Sequence, residues 1–406
     1  MTRGSQFALL AVVIVGVFAA VTVLTHNVFT APFPGLNDFM SRWEGARSFW
    51  QDGLNPYGEQ ASLNIQERIY GRPVVEGEDP GYFAYPFYTV FPLWPLVQVD
   101  YAWGSAAWMT LLEACLIAAF FLLLNLFGWK PAPWLLGVLV LWTLACYYAA
   151  RGLILGQPGV LVYFLEVLTL WALVRRRDGL AGVALAFSTI KPQMGYLIVP
   201  FLLLWGLRER RWRFVGVFAG VIAALLAASF ALQPSWLGDW LAQLGGYSAY
   251  TALGSPVWIV IDYYLGLGSA GEWAVILLLY GALLWVGFDV LWGRKGERFL
   301  WAAALTLTVT HLVAPRTATP HYVVFMLPLV FTFGQITRHY RRRGGLWVAL
   351  LALALLVIPW LHFLLTVEGE FEHPTVYLPL PFLMLGLLWF TRRVWWREAP
   401  EMAVES

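Results

Sequence analysis

The chain has 406 residues, of which 60% are hydrophobic and only 12% charged, with a mean hydropathy of +0.67. Apolar runs of about 20 residues recur along its whole length, which marks membrane spans and excludes a soluble multidomain protein. The net charge of +2 carries no nucleic-acid signal, because the basic residues fall in short clusters between the apolar runs, where they report membrane orientation.

The first six residues, MTRGSQ, precede about 19 apolar residues. That run is long for a signal peptide and no small-x-small cleavage site follows it, so it reads as an uncleaved first span at about 7–26. Further spans are expected at about 84–100, 104–127, 132–150, 158–174, 214–232, 272–292, 298–314, 321–337, 346–365 and 376–391. The expected fold is an all-α polytopic membrane protein, one integral membrane domain over residues 1–406 with about 11–13 transmembrane or re-entrant helices. Cys115 and Cys146 both lie inside apolar runs, which argues against a disulfide or a cysteine metal site.

The basic clusters at Arg175–Arg177, Arg208–Arg213, Arg294–Lys295, Arg338–Arg343 and Arg392–Arg393 are expected to be cytoplasmic. From residue 175 onward the alternation closes and leaves the C-terminus inside. Between residues 84 and 175 strict alternation puts Arg175–Arg177 outside; either one segment there is a re-entrant pair or the bias fails locally. The segment 178–207 has basic clusters on both sides, so it must return to the side it left. With TIKPQMG in its middle it fits a re-entrant hairpin of two short helices broken at Lys191 and Pro192. Irregular backbone at that depth is tolerated only where it lines a protein or water-filled cavity. The extracytoplasmic parts are then the loops 27–83, 233–270 and 366–375 and the turn 315–320.

The loop 27–83 is mostly polar, and loops longer than about 15 residues are usually functional or disordered. Wound as a helix, residues 39–52 bring Phe39, Trp43, Ala46 and Trp50 within an arc of roughly 60°. Ser41, Glu44, Ser48, Gln51 and Asp52 fall opposite, with Arg42 and Arg47 on the flanks. Asn37 or Asp38 suits the N-cap, Gly53 the stop, and Pro56 prevents continuation. The stretch reads as an amphipathic helix lying on the membrane surface with its tryptophans at headgroup level. Asp38 reads equally as a capping carboxylate and as a general base at the mouth of a membrane cavity.

The run from Asp38 through Trp43 and Ala46 to DGLNPYG resembles the first-loop motif of glycosyltransferase family 87. FAYPFYTVFPLWPL (83–96), GQPGVLVYFL (156–165) and AGVALAFSTIKPQMGYLIVPFLLL (181–204) resemble the same family in the expected order. The chain departs from the family pattern at Phe87, where a second proline is usual, and at Gly159, where a polar residue is common. Some members carry a histidine pair before a late span; here HLVAPRTATPHYVVFMLPL offers His321. The resemblance implies a GT-C-fold, inverting membrane enzyme of a bacterial plasma membrane. Such an enzyme moves a hexose, mannose above all, from a polyprenyl-phosphate donor to a lipid or glycan acceptor on the outer face. Membrane lipid and these substrates are the expected partners, with no nucleic acid.

Such a transfer needs an acceptor hydroxyl deprotonated in line with departure of a lipid phosphate. The resemblance makes Asp38 the base, a role worth about 10²–10⁴-fold. Lys191, at a break inside an apolar hairpin, costs roughly 2.5–3.5 kcal/mol on insertion scales, which makes function its default reading; a snorkelling lysine is the alternative. Arg151, before the Gly-Gln turn, has the same two readings. Arg316 and His321 bracket the outer end of a span and become phosphate or sugar contacts under the resemblance. Gln157 and Gln193 are placed to orient the sugar or simply to join helices. Glu113, Glu166 and Asp289 read as acids that pair inside the bundle, and most of the 23 tryptophans as interfacial belts. No HExxH, CxxC or Gly-rich phosphate loop occurs, and no metal or cofactor is expected. The rival reading is a non-enzymatic lipid-linked sugar transporter or flippase, which calls for inverted repeats and paired broken helices in both halves.

Overall fold

The computed structural model describes residues 3–33, 38–75, 78, 80–250, 254–293, 295–315, 317–369 and 372–400. Among them every regular element is a helix and there is no strand. Seven described helices are long and apolar enough to cross a membrane: Ala8–Thr30, Tyr101–Leu126, Trp212–Leu232, Gly268–Trp292, Thr319–His339, Gly344–Thr366 and Pro374–Glu398. Pro133–Ala145 and Tyr147–Ile154 make an eighth if they count as one span bent by 50°. The chain is a multi-pass membrane protein. It forms two compact units, one of residues 1–115, 153–157 and 225–251, the other of residues 116–152, 158–224 and 252–406.

In the first unit the expected span 84–100 is absent as such. It is broken into the short helices Phe87–Thr89, Val90–Leu93 and Leu96–Gln98. The cause is Pro86, Pro92 and Pro95, each lacking an N–H and clashing with a preceding carbonyl. The breaks leave carbonyls without helical partners, and side chains of the helix Asp38–Trp50 and of Gln51 just after it take them. Trp43 Nε1 donates to Leu96 O at 2.9 Å, Trp50 Nε1 to Val90 O at 2.8 Å, and Gln51 Nε2 to Val97 O at 2.5 Å. Trp43, expected at headgroup level, thus serves a broken backbone. Glu44 and Ser48, on the side read as solvent-facing, are buried together with Phe39, Trp43 and Ala46. The helix Glu59–Tyr70 packs against it, and Phe83 lies so close that a Cβ on Gly45 would fall 2.5 Å from its ring. Glu44 is held by Arg47 and Arg68, each at 3.2 Å; burial still pushes its carboxyl above the usual range.

In the second unit the helix Phe299–Val313 is buried along its whole length, as suits a helix apolar on every side. Pro379–Glu398 packs along it, with Trp301 Nε1 donating to Leu388 O at 2.9 Å. Gly159–Val174 packs against Asp178–Ser188, and Pro192–Gly195 and Ile198–Arg208 follow after a break. Pro192, at the first position of its helix, enforces that break. Eleven residues make about 16 Å of helix, half of a hydrocarbon core of about 30 Å. Arg211, just after the second helix, grips the Asp178 carboxylate at the start of the first, with Nε 3.0 and 2.9 Å from its two oxygens. The segment therefore begins and ends in one place, with Lys191 between.

Candidate active site

In the first unit Asp38 is the opening residue of its helix and is half-buried. The next residue, Phe39, stacks on Trp108 with ring centroids 5.2 Å apart, and Trp108 Nε1 donates to Gly156 O at 2.8 Å. Gly156 has a left-handed backbone (φ 61°), and a Cβ there would come within 2.7 Å of the Phe39 Cβ. Only glycine meets both demands. The Gly-Gln turn is thereby pressed against the start of the Asp38 helix, and the Gln157 amide donates to the Asp38 carboxylate. Asn37, the alternative cap, lies outside the described residues.

One helical turn beyond Asp38, Arg42 donates through Nη2 to the Tyr85 hydroxyl at 2.5 Å. Burial raises the Tyr85 hydroxyl above its ordinary value; Arg42 opposes that and the nearby Asp38 charge adds to it. The Tyr85 carbonyl accepts from the Tyr57 hydroxyl at 2.5 Å, and Gln243 straps the same turn by accepting from Ala84 N and donating to Tyr57 O. Asp38 thus sits beside a fixed Arg42–Tyr85 pair, neither member of which the sequence marks out.

The second unit gathers its own polar cluster around Glu372. The carboxylate accepts from the Tyr147 hydroxyl at 2.6 Å, from Arg151 Nε at 3.0 Å, and from the Thr319 hydroxyl at 2.8 Å. Arg151 also lies over the Phe363 ring, 5.2 Å from its centroid. Bound through Nε and stacked on one face, the guanidinium keeps its Nη1 and Nη2 edge for another partner; among the described residues nothing takes it. Gly152, on the same helix, is closed in by Val160 and Pro320.

His321 is buried and accepts from Ala318 N–H through Nδ1 at 3.2 Å, which assigns the proton of the neutral ring to Nε2. His311, in the last turn of Phe299–Val313, is 6.3 Å away between ring centroids. It donates from Nδ1 to Leu307 O at 2.8 Å, leaving Nε2 as the acceptor with no partner among the described residues. The two histidines come from two different helices. A Cβ on Gly159 would lie 3.1 Å from both the His321 ring and Met194 Sδ, so a side chain at that position would press on both. Lys191 is buried, 2% exposed. Pro192–Gly195 packs on the His311 helix, and Gln193 there is half-buried without a hydrogen bond among the described residues.

Arg316 lies outside the described residues. Of the three membrane acids, Asp289 pairs with Lys295 at 2.8 Å and with Arg298. Glu166 departs from the expected pairing: it is buried, and neither carboxyl oxygen has a partner among the described residues. Glu113 is half-buried and likewise makes no described hydrogen bond. Among the described residues no three His, Cys, Asp or Glu side chains converge as metal ligands.

Comparison with known proteins matches residues 83–315, more than half of the chain, to the model of glycosyltransferase family 87. No curated protein and no solved structure matches the chain. The matched stretch holds Arg151, Gln157, Lys191, Gln193 and His311, and begins after the Asp38 helix.

Proposed function

The chain belongs to glycosyltransferase family 87 and is a membrane glycosyltransferase; from that premise we propose that it is an inverting hexosyltransferase with Asp38 as its general base. The donor is a polyprenyl-phosphate hexose, mannose first, and the acceptor a lipid or glycan hydroxyl on the outer face. The carrying observation is the Asp38 carboxylate itself. It is held at a helix start by one hydrogen bond from Gln157, with Arg42 and Tyr85 fixed beside it.

In the reaction the acceptor O–H gives its proton to the Asp38 carboxylate as the oxygen attacks the anomeric carbon. The carbon–oxygen bond to the lipid phosphate breaks, and its electron pair leaves with the phosphate. One base and one displacement invert the anomeric centre. The departing dianion needs positive charge and N–H donors that are already in place. Arg151, Lys191, Arg316 and His321 are the proposed contacts, with Gln157 and Gln193 orienting the sugar. Arg151 supports this role best, because its free guanidinium edge matches phosphate oxygens bidentately.

A lipid-linked donor is supported by an apolar groove of about 600 Å³ in the second unit, between Ile198–Arg208 and Gly268–Trp292. Phe201, Leu204, Leu284 and Phe288 line it, and among the described residues no charged one does. A panel of polyprenyl-phosphate sugars offered to the purified protein, with release of polyprenyl phosphate as readout, tests the proposal. Turnover of a polyprenyl-phosphate hexose is the expected result. Turnover of a nucleotide sugar instead would overturn the donor class.

A further inference from the structure

The last two turns of Met326–His339 and of Pro379–Glu398, both in the second unit, flank an open cavity of about 410 Å³. Its wall is apolar: Phe331, whose ring stacks on buried Trp395 at 3.8 Å, and Val394. Around the mouth stand Gln335, His339, Tyr340 and Arg397. Among the described residues the side chains of Gln335 and Arg397 and the Tyr340 hydroxyl make no hydrogen bond or ion pair, and His339 packs its ring only on Tyr340, 4.6 Å away. Four donors thus line one space without a hydrogen-bond acceptor among the described residues. The one acid in the lining, Glu398, faces Arg338 at 3.9 Å, which offsets its charge.

The stretches 338–343 and 392–397 contain seven arginines and no acid. Hydrated arginines at cytoplasmic helix ends are ordinary; a cavity that gathers unengaged donors over an apolar wall is not explained by that rule. One more feature points to an amphiphile. Leu383, Phe390, Val394 and Arg397 fall within an arc of roughly 60° on their helix. The first three are exposed, so an apolar track leads along the helix to the cavity mouth.

We propose that this cavity binds the headgroup of an anionic glycerophospholipid from the leaflet on the basic side of the membrane. The phosphate takes Arg397, His339 and the Tyr340 hydroxyl, the glycerol and headgroup hydroxyls take Gln335, and one acyl chain lies along Val394, Phe390 and Leu383. Pockets of this kind between membrane helices, basic at the headgroup level, hold anionic lipids elsewhere. The site is separate from the transfer reaction and does not rest on the proposed donor or base.

Native mass spectrometry of the full-length protein, with dioleoyl phosphatidylglycerol or dioleoyl phosphatidylcholine added to the detergent, tests the proposal. Phosphatidylglycerol is expected to bind as a discrete, saturable adduct in preference to phosphatidylcholine. Arg397→Ala is expected to weaken that adduct about fivefold, the effect of one cation near the membrane surface. Val394→Glu, which leaves every cation in place but puts a carboxylate in the cavity, is expected to abolish it. The two variants attack the site by opposite routes at exposed positions, so loss of folding in one leaves the other to decide. Equal binding of both lipids, or wild-type affinity in a folded variant, would overturn the proposal. So would full displacement of the lipid by millimolar inorganic phosphate, which would mark a bare cation site with no chain contact.

Discussion

Arg151 and Glu372, 221 residues apart, are joined through the guanidinium Nε at 3.0 Å. The contact fixes the plane of the guanidinium while its two terminal nitrogens have no partner among the described residues. Hydrogen bonds to charged groups contribute about 1.5–3 kcal/mol. Glu372→Ala is therefore expected to raise the donor KM about tenfold with a smaller change in kcat, because Arg151 keeps its charge but loses its anchor. Steady-state kinetics against a donor series, with polyprenyl phosphate binding measured in parallel, checks this. An unchanged KM with wild-type binding of polyprenyl phosphate would show that Glu372 only ties the loop.

Gly156 combines a left-handed backbone with contact to Phe39 and Trp108. Gly156→Ala is expected to cost about 1–3 kcal/mol of local strain and to move Gln157 off the Asp38 carboxylate. Transfer should fall at least tenfold while membrane insertion is retained. Gly128 has the same backbone sign but nothing within 4 Å of its Cβ position, so Gly128→Ala is the matched control for backbone strain alone.

The long apolar spans are legible in the sequence because hydropathy is a local property. The stretch 84–100 misleads for the same reason: its hydropathy is that of a span, while Pro86, Pro92 and Pro95 dictate a broken backbone. The apolar stripe of Phe39, Trp43 and Ala46 is the stripe that packs, but helical period alone does not reveal that Glu44 and Ser48 meet protein too. Asp38 and Gln157 each stand out in the sequence, and the structure joins them across 119 residues. Glu372 and His311 do not stand out. One is an acid in a short loop and the other a histidine in an apolar run, and only the tertiary fold brings them to Arg151 and His321.

Orientation is open to a direct measurement. Gln60, exposed on the helix Glu59–Tyr70, is expected to face the outer side, and Arg176, in the basic cluster between Gly159–Val174 and Asp178–Ser188, the inner side. With Cys115 and Cys146 buried and silent, Gln60→Cys should react with an impermeant thiol reagent in intact cells. Arg176→Cys should react only after lysis. Reversed labelling would put the Asp38 loop on the cytoplasmic side and end the outer-face reading.

Glu44 supplies a pH signature of the first unit. Its carboxyl is raised above the ordinary value of 4.5, chiefly by burial, with Arg68 and Arg47 opposing. A raised carboxyl means that the folded state holds the proton more tightly than the unfolded state. The stabilisation from this group is thus complete below 4.5 and is lost as the pH rises through the raised value. The difference in thermal stability between wild type and Glu44→Gln should therefore fall with rising pH across that window. A difference that grows with pH would mean that the two arginines outweigh the burial.

The central claim is that the Asp38 carboxylate takes the proton of the acceptor hydroxyl, and Asp38→Asn tests it most directly. The amide preserves shape and still accepts from Gln157, so folding should stay within about 0.5 kcal/mol of wild type. It cannot take a proton, so transfer measured at saturating donor in folded protein should fall by about 10²-fold or more. Near wild-type turnover by folded Asp38→Asn would contradict the account and leave the carboxylate a structural group at the helix start.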